Sequence, residues 1–194
     1  MKTKLFLLGC TLGLGMASSG FAATSNGIIN VTLTLTNGCL VNGSPTPTSG
    51  NINLGALSFG TSTTIFTDLN AVLIGSAGNG IYVRCTTGAT PTVQVTGSAN
   101  AAPTDVANIF GFVSTAPRYL KTATDATRAV AYTLYPSEAS TTPIANGVNL
   151  TASGTASPTL GANYPIYGRI TQGGNNPLIP AGDYLDTITV AINY

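Results

Sequence analysis

Short segments in which apolar side chains recur at every second position, set between turn residues such as Gly, Asn and Pro, run through this 194-residue chain. An extended chain turns successive side chains to opposite faces, so this period belongs to strands with one buried face and one wet face. At the carboxy terminus Tyr184, Asp186, Ile188, Val190, Ile192 and Tyr194 fall on one face, and Leu185, Thr187, Thr189, Ala191 and Asn193 on the other. That predicts a strand running to the final residue. In 129–135, Val130, Tyr132 and Leu134 alternate with Ala131 and Thr133, and 164–171 reads as a further strand. In 81–85, Ile81 and Val83 share a face with Cys85, which points that thiol inward. No long segment keeps the 3.6-residue period of a helix, so the expected fold is all-β, an antiparallel sandwich.

The punctuation agrees. Asn79-Gly80 and Asn146-Gly147 suit tight turns because both residues tolerate positive φ, and the second lies between apolar segments as a hairpin turn would. Asn26-Gly27, Asn37-Gly38 and Asn42-Gly43 bracket the segments near the amino terminus, while proline-rich 44–48 and glycine-rich 172–182 read as exposed loops. Neither a linker nor an internal repeat divides the rest, so one domain is expected.

Lys2 and Lys4 precede an apolar stretch over 5–17, and Ser18-Ser19-Gly20-Phe21-Ala22 follows. This is the order of a secretory signal, with small residues at Gly20 and Ala22 to suit cleavage before Ala23. The stretch is too short to span a bilayer. Leu7-Leu8-Gly9-Cys10 also resembles a lipoprotein box, the alternative in which a lipid anchors the chain. With ordinary cleavage Cys10 is lost, and Cys39 and Cys85 remain in a chain bound for an oxidising compartment, which reads as one disulfide, the alternative being two buried thiols.

Cleavage leaves Arg84, Arg118, Lys121, Arg128 and Arg169 against six carboxylates. So few scattered cations cannot neutralise a run of phosphates, which excludes nucleic acid as a partner. Only 7% of the residues are charged, so the solvent face is built of hydroxyls, amides and backbone. Such a surface offers little charge repulsion against association. With no His and no Trp in the chain, a Ser-His-Asp triad, a His metal site and a His general base are excluded. Asp183 and Asp186 fall on opposite faces if both lie in a strand, which argues against a carboxylate pair or a calcium site. Arg84 and Arg169 either meet a carboxylate or point to solvent, and Tyr82, Tyr132, Tyr135, Tyr164 and Tyr167 read as sheet packing ahead of a sugar platform. No convergent acid, base or nucleophile is visible, and the expectation is a protein that is not an enzyme and uses no cofactor, metal or small-molecule substrate.

Ahead of Cys39, the apolar Ile29, Val31, Leu33 and Leu35 alternate with Asn30, Thr32 and Thr34. Pattern alone leaves two readings open, because a strand that pairs within its own chain and one that pairs with another chain need the same alternation.

The chain resembles the spore coat protein U domain found in subunits of archaic, Csu-type chaperone-usher pili. The resemblance covers nearly all of the chain after the signal. It rests on Ile29-Asn30-Val31-Thr32-Leu33-Thr34-Leu35 running into Thr36-Asn37-Gly38-Cys39, then Gly55-Ala56-Leu57-Ser58-Phe59-Gly60 and Ile81-Tyr82-Val83-Arg84-Cys85. Further matches are Val130-Ala131-Tyr132-Thr133-Leu134-Tyr135, Pro165-Ile166-Tyr167-Gly168-Arg169-Ile170, and the ending from Ala181-Gly182-Asp183-Tyr184 to Tyr194.

The resemblance implies an incomplete immunoglobulin-like β-sandwich completed by a donor strand from another subunit or a chaperone. Cys39 and Cys85 match the family's disulfide pair. The expected division is a signal peptide over 1–22, a donor-strand extension over 23–36 and the pilin domain over 37–194. Ile29, Val31, Leu33 and Leu35 would be the donor plugs, and Ile188, Val190 and Ile192 the acceptor groove on the last strand. The partners implied are identical or related subunits, a periplasmic chaperone and an outer-membrane usher, and the destination is a pilus on the cell surface serving adhesion and biofilm formation. A spore or cell coat protein, and an adhesive tip subunit binding a surface or glycan, are the alternatives.

Overall fold

The computed structural model describes residues 24–35, 38–45, 52–172 and 179–194. The signal segment, residues 46–48 of the first expected loop and 173–178 of the second lie outside them. The chain divides into two units, Met1–Leu35 and Thr36–Tyr194. Within the first, residues 24–35 belong to neither helix nor strand, and Ile29, Val31, Leu33 and Leu35 are each at least 80% exposed.

The second unit is an all-β sandwich of the immunoglobulin-like kind. One sheet runs Ser153–Ser157, Gly161–Tyr164, Ile81–Cys85, Cys39–Val41, Ser44–Pro45. A second runs Tyr184–Leu185, Pro117–Thr122, Ala129–Tyr135, Tyr167–Ile170, Leu69–Gly75, Ala56–Leu57. Thr92–Ser98 and Ile188–Asn193 form a two-stranded ribbon. Among the described residues every pairing is antiparallel except that of Ile109–Phe110 with Ala129–Tyr135. Between the layers, Ile81, Val83, Val93, Val95, Phe110 and Leu134 are almost wholly buried. The expected face of 81–85 is realised: Ile81 and Val83 point into the core, and Cys39 stands directly opposite Cys85 on the ladder, with Cα atoms 4.0 Å apart and the two sulfurs bonded.

Several expected boundaries move. The run 164–171 is not one strand: Gly161–Tyr164 belongs to the first sheet and Tyr167–Ile170 to the second. Pro165 has no N–H to give to a ladder, and at Pro165-Ile166 the chain crosses between sheets, with buried Ile166 accepting from the Leu73 N–H at 2.9 Å. The ending is likewise broken: Tyr184–Leu185 pairs with Pro117–Thr122, and only Ile188–Asn193 pairs with Thr92–Ser98. Asp186 stands at the break, its carboxylate accepting from the Thr187 N–H at 2.8 Å and the Asn100 N–H at 3.1 Å.

Of the Asn-Gly pairs, Asn42-Gly43 makes a hairpin turn, with φ of 49° and 81° joining Cys39–Val41 to Ser44–Pro45. Ser44 and Pro45 therefore lie in a short strand and not in a loop. Asn79 is the end of a two-residue strand, and the turn before it is Ser76-Ala77. Asn146-Gly147 does turn, but not within a hairpin. Ile144 on one side bonds Leu134, and Asn149 on the other bridges Gln94, so the turn carries the chain between different strands. Arg84 and Arg169 donate to backbone carbonyls instead of meeting carboxylates: Arg84 to Pro158 at 3.1 Å, and Arg169 to Ser140 at 2.9 Å and to Glu138. The Arg169 guanidinium also lies over the Tyr135 ring, 4.2 Å from its centre.

Candidate functional site

Ile188–Asn193 is bonded along one edge to Thr92–Ser98, and along its other edge no ladder partner is found among the described residues. Ala56–Leu57 is in the same position: one edge pairs with Leu69–Gly75, and none pairs with the other among the described residues. A groove of about 690 Å³ runs between these two walls. Ile188, Val190 and Ile192 line one side, and Leu54, Leu57 and Phe59 the other. All six are half-buried and packed against the core cluster. Buried Leu73, Leu134 and Ile166 lie at the bottom.

The period of the last strand explains its wall. Ile188, Val190 and Ile192 alternate with Thr189, Ala191 and Asn193, so one face of the strand is apolar throughout. Opposite the Thr189–Val190 step the partner strand carries an extra residue, Thr96, whose hydroxyl donates to the Thr189 carbonyl at 3.2 Å.

The other wall is short in hydrogen-bonded ladder and is held by side chains. Buried Asn42 accepts from the Tyr82 N–H at 2.9 Å and donates to the Leu54 carbonyl at 3.3 Å, tying 52–57 to the first sheet. Gly168 has no side chain where Leu57 and Phe59 cross its strand; a β-carbon there would come within 2.8 Å of both.

One end of the groove is polar. The Tyr132 hydroxyl donates to the Asp186 carboxylate at 2.7 Å, while the Tyr132 ring meets Phe59 edge-on with centres 5.9 Å apart. Burial, and then the bond to Asp186, hold the Tyr132 phenol well above its usual range, so it remains a donor at any ordinary pH. Arg118, only 3% exposed, lies near enough for its charge to be felt by Tyr132 and Asp186. It donates to the Ile144 carbonyl at 3.3 Å and to Asn146 Oδ1 at 2.7 Å, and burial pulls its pKa down.

Residues 25–191 match the family profile described as the Spore Coat Protein U domain. The chain belongs to that family. The comparison with curated proteins finds no match. Membership in the Spore Coat Protein U domain family makes the chain a structural protein of the pilus or coat type. Of the residues singled out from sequence, Cys39 and Cys85 form the disulfide of this Spore Coat Protein U domain, and Ile188, Val190 and Ile192 come together along the groove. Ile29, Val31, Leu33 and Leu35 stand exposed in the first unit. Sequence reasoning missed Leu54, Leu57 and Phe59. Leu57 and Phe59 lie two apart within Gly55-Ala56-Leu57-Ser58-Phe59-Gly60, and that alternation was the available signal. It also missed the Tyr132–Asp186 bond, which no spacing announces because 54 residues separate the partners.

Proposed function

We propose that the chain is the subunit of a surface fibre that polymerises by strand donation, the extended leader of one copy filling the groove of the next. The supporting observation is the apolar groove between two strand edges without ladder partners among the described residues. An added strand would bond to those edges through its backbone and press alternate side chains into the groove. The leader has the matching pattern: Ile29, Val31, Leu33 and Leu35 on one face, spaced about 7 Å apart when extended. Burying each would contribute at most about 1.5–3 kcal/mol, before the cost of ordering the leader.

On this reading residues 23–36 are the donor extension and 37–194 the acceptor domain. A periplasmic chaperone would cover the groove before assembly, since an open groove exposes apolar surface and bare strand edges together. An outer-membrane usher would pass subunits to the surface, where the fibre serves adhesion and biofilm formation. The family's description favours a second reading, in which the same strand donation builds a coat on a resting cell. Electron microscopy of expressing cells separates a thin fibre from a continuous layer.

A pairing experiment tests strand donation. Leu33→Asp leaves a chain that can accept but not donate, and Val190→Arg leaves one that can donate but not accept. Each alone is expected to stay monomeric, and an equimolar mixture to give heterodimers and nothing longer. Absence of the heterodimer, or assembly of either variant alone, contradicts the proposal.

A further inference from the structure

Tyr132 touches both walls of the groove at one end. Its hydroxyl is bonded to Asp186, where the chain leaves Tyr184–Leu185 for the last strand, and its ring packs edge-on against Phe59 of the opposite wall. It is itself fixed from below: it is 3% exposed and central in Ala129–Tyr135, which is paired on both sides. Asp186 is equally constrained, since its other oxygen accepts the Asn100 and Thr187 N–H groups. Asn100 in turn donates to the Tyr119 and Leu185 carbonyls at 2.9 and 2.6 Å.

We infer that Tyr132 is a positioning residue that fixes the separation and register of the two groove walls, and so determines which terminal plug of an incoming leader seats at the Asp186 end. The inference rests on the strand-donation reading and deepens it. A strand of a neighbouring copy must fit between two walls that share no backbone ladder, so their spacing depends on side chains that reach from one to the other. A groove held at the right width binds without first having to order itself, and that gain appears mainly in the dissociation rate. Tyr132 acts through Asp186 and Phe59, and its hydroxyl is already committed.

The test uses the full mature chain and follows the decay of its oligomers in detergent at fixed temperature. Tyr132→Phe keeps the ring and removes one oxygen. It is expected to shorten oligomer lifetime about tenfold, the loss of a hydrogen bond to a charged acceptor. Ile29→Ala and Leu35→Ala are then combined with it. A gauge at one end predicts that Tyr132→Phe is non-additive with one of these two and additive with the other, whereas a general loss of stability leaves both additive. Asp186→Asn, which still offers an oxygen and an amide, should keep most of the lifetime that Asp186→Ala loses, and this pair serves if Tyr132→Phe does not fold. Equal lifetimes for Tyr132→Phe and the wild-type chain, additivity at both ends, or no difference between Asp186→Asn and Asp186→Ala overturns the inference. Failure of the wild-type chain to form oligomers overturns strand donation itself.

Discussion

Gly55 has a φ of +119°, and a β-carbon there would come within 2.1 Å of the Ile74 carbonyl oxygen. The wall of the groove lies that close to the strand beneath it, and only glycine permits the approach. Gly55→Ala is expected to cost about 2–4 kcal/mol, because both the dihedral and the backbone contact must yield. Urea unfolding of the disulfide-intact protein measures it, and a loss below about 1 kcal/mol would contradict the assigned geometry. Asn42 was legible as half of an Asn-Gly pair bracketing a segment near the amino terminus, and its φ of 49° makes that pair a turn. That its amide also joins Tyr82 to Leu54 was not legible, because both partners depend on how the sheets meet. Asp186 shows the same limit: strand alternation placed it correctly on the face of Ile188 and Val190, but not at a break in the strand. The pattern stays in phase there while the chain changes its ladder partner.

At the scale of elements, strands with strict alternation or full burial were readable, and their ladder partners were not. Ala129–Tyr135 appears with its expected bounds. The segment 164–171 was read through Pro165 as one strand because apolar residues lie on both sides of it, yet the missing N–H marks where the chain crosses between sheets. The Cys39–Val41 strand has only three register pairs with Ile81–Cys85, one of them the disulfide pair. A bridge closing a separation of 46 residues contributes about 4 kcal/mol in the chain-entropy account. The double substitution Cys39→Ser, Cys85→Ser should therefore cost about 2–5 kcal/mol by denaturant unfolding. A change under about 1 kcal/mol would mean that the strand is held by its packing alone. The leader presents the opposite case: its alternation was plain in the sequence, but alternation does not say whose sheet it enters. Leu33→Asp should prevent oligomers while leaving the unfolding free energy of the monomer within about 0.5 kcal/mol of wild type, as for other changes at an exposed site. A large loss of monomer stability would show instead that the leader pairs within its own chain.

For the whole molecule, the all-β class, the disulfide and the family were accessible from sequence, and the groove was accessible only in part. Its Ile188, Val190 and Ile192 wall follows from the period of one strand. The opposite wall and the floor require the sheets to be assembled first, since Leu54, Leu73 and Ile166 come from separate segments of the chain. A chain with only 7% charged residues and a groove of apolar side chains would carry hazards for a protein kept apart from its own copies. In a fibre subunit the first favours close packing and the second is filled.

The most direct measurement compares the refolded mature chain with one lacking 23–35, by gel filtration and by denaturing gels run without heating. Intact protein is predicted to give detergent-resistant ladders that collapse to a single band on boiling, and the shortened chain to give none. An intact chain that stays monomeric at high concentration, unfolding cooperatively with its leader in place, would contradict strand donation between copies.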